Sequence, residues 1–268
     1  MSRLDAAAFQ AARRGAFGSD LRLGGRVSST QDQAREAALS GTLRGPAVFF
    51  AEEQTAGRGR WGRTWIAPEG SSLLFTAVFR VPDSPAPSSL PVVLGLASVL
   101  ALKELGIGEA GLKWPNDLWW RGRKLGGLLV EQAGGWTLAG CGLNALQGEN
   151  DWPPGLRGQA ASLRQAGLRA SREAVLAALL GSWESALGPW SRGGLAAFRA
   201  ELDAMDLLKG RLCRAVKGRE TLEGTAVGIA DDGSLRLKGP GGEIRVVGAQ
   251  ALEVRPFAGG DGPNPGRG

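Results

Sequence analysis

Residues 54–65, Gln-Thr-Ala-Gly-Arg-Gly-Arg-Trp-Gly-Arg-Thr-Trp, set three glycines and three arginines among two tryptophans. A loop of this kind suits an anion, because glycine lets the backbone approach a ligand and arginine offers a planar fork matched to phosphate or carboxylate oxygens. Its flanks constrain the fold. The apolar run 47–51 reads as a strand, and after a turn at 66–70 the run 73–79 reads as another. The loop contains G-x-G-x-x-G and nearly spells a P-loop, yet both motifs need a helix directly after the loop to hold phosphates at its N-terminus. A loop joining strand to strand argues against both. Protein kinases do carry a glycine loop between strands, but they also need a His-Arg-Asp loop, and this chain has no histidine. A ligand-free arginine-rich surface loop stays open as the bland alternative.

The missing histidine excludes serine–histidine triads, zincin sites and histidine general bases. Chemistry must then rest on Lys, Arg, carboxylates, backbone donors and a soluble metal ion, the toolkit of phosphoryl and nucleotidyl transfer. At 268 residues and 43% hydrophobic content the chain can bury a full core, as one large domain with room for a small second one. Two cysteines, Cys141 and Cys213, make no disulfide framework and sit in no metal-ligand cluster. With no apolar leader, and an apolar run at 90–105 read as too short and interrupted for a bilayer, the expected location is the cytoplasm and no membrane is involved. A net charge of +6 raises nucleic-acid binding, but no basic helix or zinc module accompanies it, so no nucleic-acid partner is expected.

In chain order, 2–17 reads as a short helix ending at Gly15 or Gly18, and 21–27 as a strand. Residues 28–33 open a helix that runs to Gly41, with Ser29 and Thr30 as caps and a capping-box spacing from Thr30 to Gln33. A buried helix through Leu105 starts at 88–91. Residues 112–120 form a strand bent at Pro115, so that Asn116 and Asp117 sit at the bend, and a turn at 121–123 brings Lys124 onto a neighbouring strand beside Asp117. A solvated cross-strand ion pair is the bland reading of those two. The strand from 136 runs into Gly-Cys-Gly-Leu-Asn at 140–144. An irregular loop spans 145–170, followed by helices at 171–187 and 193–202. From 209 the pattern changes to short strands at 211–216, 221–229, 234–237, 244–247 and 252–255, a small all-β barrel. The Gly/Pro-rich tail from 258 is expected to be disordered. The domains are then a leader at 1–20, a catalytic unit at 21–206, a barrel at 207–257 and a tail at 258–268.

Four segments, Ser-Ser-Thr at 28–30, Gly-Arg-Gly-Arg-Trp-Gly-Arg at 57–63, Lys-Trp-Pro-Asn-Asp at 113–117 with Lys-Leu-Gly-Gly at 124–127, and Gly-x-Gly-x-Asn at 140–144, resemble the biotin protein ligases in the form without a DNA-binding domain. The resemblance covers roughly 21–255. It implies an α+β fold: a mixed sheet flanked by helices, similar to class II aminoacyl-tRNA synthetases, then an SH3-like barrel. It also implies a two-step reaction in which biotin and Mg-ATP give biotinyl-5′-AMP, and a lysine of biotin carboxyl carrier protein then takes the biotin. By motif, Ser29, Thr30, Gln31, Gln54 and Gly127 would bind biotin, with Arg58, Gly59 and Arg60 closing over it. Arg63, Asn116, Asp117, Asn144 and Arg255 would serve ATP, Lys124 would serve both carboxylate and α-phosphate, and Lys124, Arg58, Arg60 and Asp117 would carry catalysis. No protein cage for a metal is expected; Mg²⁺ would sit near Asp117.

Family members often have Asp before the Ser-Thr pair and Asn after it, where this chain has Ser28 and Gln31, and the adenine-stacking aromatic of several members falls near Ala160. The loop is expected to be disordered until ligand arrives, its arginines lacking partners. Members are often dimers through their sheets, so a homodimer is a further expectation. The alternatives are a lipoate or octanoyl ligase of related fold, a basic nucleic-acid-binding protein with a barrel module, and a biotin sensor without ligase activity. The arginine loop together with Lys-Trp-Pro-Asn-Asp favours biotin.

Overall fold

A short capped helix leads into the sheet. A computed structural model of the chain describes residues 3–217, 219–248 and 253–256. Helix α1 (Ala6–Ala12) is capped by the Asp5 carboxylate, which accepts from the backbone of Ala7 and Ala8. It stops well before Gly15, because the amides of Ala16 and Phe17 are taken instead by the Glu184 carboxylate, at 3.0 and 3.1 Å. Strand β1 (Asp20–Val27) and strand β2 (Ala47–Gln54) are parallel neighbours. Parallel neighbours need a crossover, supplied here by α2 (Thr30–Leu39). Its cap is Ser29, whose Oγ accepts from Gln31 N at 3.2 Å, rather than the expected Thr30–Gln33 box.

Strand β3 (Ser72–Phe79) is buried along its whole length, apolar except for Ser72 and Thr76. Helix α3 (Leu90–Glu104) follows. With the turn before it, Pro87–Glu104 is long and apolar enough by length and composition to cross a membrane, which corrects the sequence expectation; 67% of that window is buried inside the fold, as befits a core helix. Strand β4 (Ala110–Lys113) packs beneath it, where Gly95 makes room: a Cβ there would sit 2.7 Å from the Leu112 side chain. Strands β5 (Asp117–Trp120), β6 (Arg123–Ala133) and β7 (Trp136–Asn144) complete a mixed sheet in the order β1-β2-β3-β7-β6-β5-β4, antiparallel except for its first pair. Its edges are therefore β1 and β4.

Helix α4 (Arg172–Gly193) runs past the expected end at Leu187 and carries Pro189 inside it. The proline forfeits one backbone hydrogen bond. Beyond it Trp190 is 1% exposed and donates from Nε1 to Ser89 Oγ at 3.0 Å, so packing holds the last turn that the Gly-Pro pair would otherwise end. A 3₁₀ turn and α5 (Arg199–Met205) stand where one helix at 193–202 was expected. Strands β8 (Leu212–Lys217), β9 (Glu220–Ile229), β10 (Leu235–Lys238), β11 (Ile244–Val247) and β12 (Glu253–Pro256) form a separate antiparallel sheet in the order β11-β10-β9-β8-β12, close to the expected spans. Leu252 and the tail from 258 lie outside the described residues.

One buried ion pair ties the layers. Arg172, at the start of α4, meets the Glu52 carboxylate of β2 at 2.7 Å, with the two side chains only 6% and 5% exposed. Glu52 also accepts from Leu4 N at 2.6 Å, and Arg172 donates to Ser72 O at 3.3 Å. A buried pair of this kind adds little over an apolar substitute, but losing one partner strands a charge. Arg172→Leu is therefore expected to lower stability by about 3–5 kcal/mol in urea unfolding, whereas a loss under ~1 kcal/mol would show that Glu52 needs no partner.

Candidate active site

Three glycines make the floor of a cavity of about 400 Å³. A Cβ on Gly127 would come within 3.0 Å of Asp117 Oδ1 and 3.4 Å of Lys124 Nζ; on Gly140, 2.6 Å from Gln31 Oε1; on Gly142, 2.5 Å from the Trp65 indole. The β6–β7 surface is bare so that functional side chains can lie against it. This is the close approach that the glycines at 126–127 and 140–142 signal in the sequence.

One wall is a relay of neutral polar groups. Gln54 Oε1 accepts from Thr30 N at 2.7 Å and from Thr30 Oγ1 at 3.1 Å. Thr30 Oγ1 lies 3.0 Å from Thr76 Oγ1, and Thr76 Oγ1 donates to Gln31 Oε1 at 3.0 Å. Gln31 Nε2 in turn donates to Glu131 Oε2 at 2.9 Å and Leu138 O at 3.3 Å. Ser29, Thr30 and Gln31 are all buried at the start of α2, where side chains take up the first backbone donors of the helix, Gln54 that of Thr30 and Ser29 that of Gln31.

The second wall is the arginine loop, which folds as a small hairpin. Gly59 N donates to Arg63 O at 2.7 Å and Trp65 N to Gly57 O at 2.9 Å, and Trp61 takes the left-handed region at φ 60. The expectation that its arginines lack partners is overturned. Arg58 grips the Asp32 carboxylate with both Nη atoms, one contact at 2.9 Å, and Arg60 donates to Asn116 Oδ1 at 3.2 Å. Burial pushes the Arg60 guanidinium below its ordinary pKa, with Asp117 pulling it back up and Arg63 adding a smaller push down. A guanidinium nevertheless stays charged at neutral pH. Arg63 and Gly59 also line the cavity.

The third wall carries the expected pair. Lys124 Nζ lies 2.8 Å from Asp117 Oδ1 and 5.7 Å from the centre of the Trp65 ring. A register shift in the β5–β6 ladder between Leu118 and Trp119 lets Asp117 face Gly127 while Lys124 pairs with Trp119. Asn116 and Asn144 spend their amides on structure: Asn116 Nδ2 donates to Leu128 O at 2.5 Å and Asn144 Nδ2 to Ala161 O at 3.0 Å. The irregular segment 145–170 straps onto β6, Lys124 N donating to Gln159 O and Ala161 N to Lys124 O, both at 2.8 Å, and so sets Ala160 in the cavity lining. Arg255 pairs with Arg214 through the backbone, and its side chain lies outside the described set. Sequence reasoning missed Trp65, Thr76, Lys113, Trp119, Trp152 and Val254, which all line the cavity. Lys113 and Trp65 sit inside the motifs and were within reach; Thr76 and Val254 carry no sequence signal beyond strand alternation. Cys141 lines it too, but burial pushes its thiol up to about 12, so it offers no thiolate nucleophile.

Residues 23–145 match the model of the biotin/lipoate A/B protein ligase family, and 210–261 that of the biotin protein ligase C-terminal domain. The biotin–[acetyl-CoA-carboxylase] ligase of Mycobacterium tuberculosis is 34% identical over 236 residues, spanning 85% of this chain and 87% of that protein. The corresponding ligase of Paracoccus denitrificans is 30% identical over 241 residues, spanning 85% and 98%. The bifunctional ligase/repressor of Escherichia coli is 31% identical over 207 residues; the match takes in 75% of this chain but only 64% of that longer protein. Among solved structures, the biotin protein ligase from Aquifex aeolicus in complex with biotin and ATP superposes with a TM-score of 0.79 at 26% identity, over 89% of this chain and 100% of that one.

The Arg58–Asp32 clamp has a definite pH dependence. The hydrogen bond from Arg58 holds Asp32 below its ordinary pKa, burial opposing it. A depressed carboxylate contributes above its unfolded pKa and loses that contribution only as pH falls through the depressed folded value, so the clamp is intact across the neutral range. Asp32→Asn removes the carboxylate and should speed tryptic cleavage after Arg58, Arg60 or Arg63 at pH 8. An unchanged cleavage rate would mean that the hairpin holds without the clamp.

Proposed function

Because this chain belongs to the biotin protein ligase family, we propose that it joins biotin and ATP to form biotinyl-5′-AMP and transfers the biotin to a lysine of biotin carboxyl carrier protein. The observation that carries this reading is the Lys124–Asp117 pair set against a glycine floor, with Arg60 and Arg63 on one side of it and the Thr30–Gln54 relay on the other.

The first step brings a carboxylate against a triphosphate, and its barrier is largely like-charge repulsion. Lys124, already oriented by Asp117, would lie between the biotin carboxylate and the α-phosphate. As the carboxylate oxygen bonds to the α-phosphorus and pyrophosphate leaves, Arg60 and Arg63 would offset charge on the transferring and departing phosphates. No proton is moved in this step, so a chain without histidine is no obstacle. In the second step the carrier lysine, as the free amine, attacks the acyl carbon, the bond from that carbon to the phosphate oxygen breaks, AMP departs, and the nitrogen loses one proton to solvent as the amide forms. Ser29, Thr30, Gln31, Gln54 and Gly127 serve the biotin end, with Arg58 and Gly59 as its lid; Asn116, Asn144 and Arg255 serve the nucleotide side.

Among the described residues no group of three or more His, Cys, Asp or Glu could hold a metal. That donor set does not fit a protein cage, but it fits Mg²⁺ arriving on nucleotide phosphates, where one carboxylate suffices. Asp117 is the residue to meet it, and the ion would supply further neutralisation of phosphate charge. Ala160 leaves adenine without a stacking partner at that position, and Trp119 and Trp152, which line the same cavity, offer aromatic surface in its place.

The seven-stranded layer fits a class II synthetase-like catalytic unit at 21–206 and the C-terminal sheet an SH3-like barrel at 207–257, a reading supported by the switch from helix to short antiparallel strands after Met205. Two buried, unpaired cysteines fit a cytoplasmic setting. An acidic carrier would be drawn to a chain of net charge +6. A second copy of the chain could pair along an exposed sheet edge, of which β1 is one.

Removing one well-placed donor of this type costs about 2.7–4 kcal/mol of transition-state stabilisation. Lys124→Ala should therefore lower biotinyl-AMP formation by roughly a hundredfold or more; near-normal formation would refute the role. In carrier labelling by the unmodified enzyme, biotin should be accepted and lipoate refused. Labelling with lipoate alone would transfer the site to the other branch of the family.

A further inference from the structure

The turn between β9 and β10 is gripped by the catalytic layer through three consecutive-looking but separate contacts. Trp114 Nε1 donates to Gly233 O at 2.8 Å, Ser88 Oγ to Asp232 O at 2.6 Å and Arg199 Nη1 to Ile229 O at 2.6 Å, while the other Arg199 nitrogen pairs with the Asp231 carboxylate. The seat is close: Gly233 adopts φ +85, and a Cβ there would lie 2.8 Å from Ser89 Cα. Carbonyl acceptors recognised by three side chains from separate parts of the chain make a built joint; the Trp114–Gly233 bond is buried, so losing its donor would leave an unpaired carbonyl with a desolvation penalty, while the Ser88 and Arg199 contacts brace the turn nearer the surface.

One of those side chains belongs to the site. Trp114 is 2% exposed and stands between Lys113 and the bend that carries Asn116 and Asp117. Asn116 accepts from Arg60, and Asp117 orients Lys124. The Thr30–Gln54 wall, by contrast, is built on α2 and β2, and among the described residues its hydrogen bonds run to Thr76 and Gln31 rather than to the turn. We infer that the β9–β10 turn is a latch that fixes the position of residues 113–117 through Trp114, making Trp114 a positioning residue for the nucleotide side of the site and for the Asp117–Lys124 pair, and leaving the Thr30–Gln54 wall independent of it. The kinetic part of this inference rests on the proposed ligase reading; the mechanical part does not.

The test uses the full chain and two variants, Trp114→Phe, which loses the N–H and shrinks the buried indole to a phenyl ring, and Ser88→Ala/Arg199→Ala, which loosens the turn from its far side without touching either Trp114 or the cavity. Hydrogen exchange read by mass spectrometry should show faster exchange at 113–120 in both variants, and at 229–234 in the double variant. With ATP and biotin as substrates, the KM for Mg-ATP should rise about fivefold, the effect of one lost hydrogen bond of ordinary strength, while the KM for biotin, still held by the Thr30–Gln54 wall, rises less. The inference is overturned if exchange at 113–120 is unchanged in both variants, or if both KM values rise by the same factor, which is what a merely structural loss would do. Absence of biotinyl-AMP from the unmodified protein would instead sink the ligase reading, and the exchange experiment would still decide whether the latch exists.

Discussion

The absence of side chains at Gly127, Gly140 and Gly142 is the condition on which the rest of the site depends. Each of these positions is already filled by something else: the Asp117–Lys124 pair, the Gln31 amide and the Trp65 indole. A methyl group at any one of them would displace a functional side chain by contact, with no change in charge or hydrogen bonding. The central strands β6 and β7 therefore give up packing in the sheet interior to create a place where polar groups converge. The losses are covered elsewhere, by the fully buried β3 and by α3 and α4 packed on the other face.

The charged groups of the site are partnered within the protein. Arg58 lies on Asp32, Arg60 on Asn116 and Lys124 on Asp117. Such pairing keeps cations from repelling one another at short range, and it holds donors near the positions where an anion would need them, so little reorganisation remains for the moment of reaction. It also explains how three arginines within six residues coexist in an ordered hairpin. The neutral wall works differently. There, the Gln31 side chain meets three partners, Thr76, Glu131 and Leu138, a span that the reach of a glutamine provides.

The two sheets are joined at the same motif that feeds the site. Lys-Trp-Pro-Asn-Asp places alternate groups on opposite duties: Trp114 turns toward the β9–β10 turn, while Asn116 and Asp117 turn toward the cavity. Val254 of β12 reaches the cavity lining as well. The C-terminal sheet thus borders the cavity directly and is not an appended module.

Local rules were enough for much of this. Periodicity, capping residues and turn residues marked most strands, the start of α2 and the separate all-β segment, and the motif residues Thr30, Gln54, Arg60, Asp117, Lys124 and Asn144 do line one cavity. What the sequence by itself determined was which residue types were available, that the arginine loop joins two strands, and that no histidine chemistry is present. Tertiary structure decided the rest, because it turns on contacts between residues far apart in the chain. Asp32 as partner of Arg58, Thr76 as the link between Thr30 and Gln31, and the continuation of α4 through Pro189 because Trp190 is buried are all of this kind. Local propensity sees a proline or an unpaired arginine; only the folded chain supplies the buried surface and the opposite charge that settle how each is used.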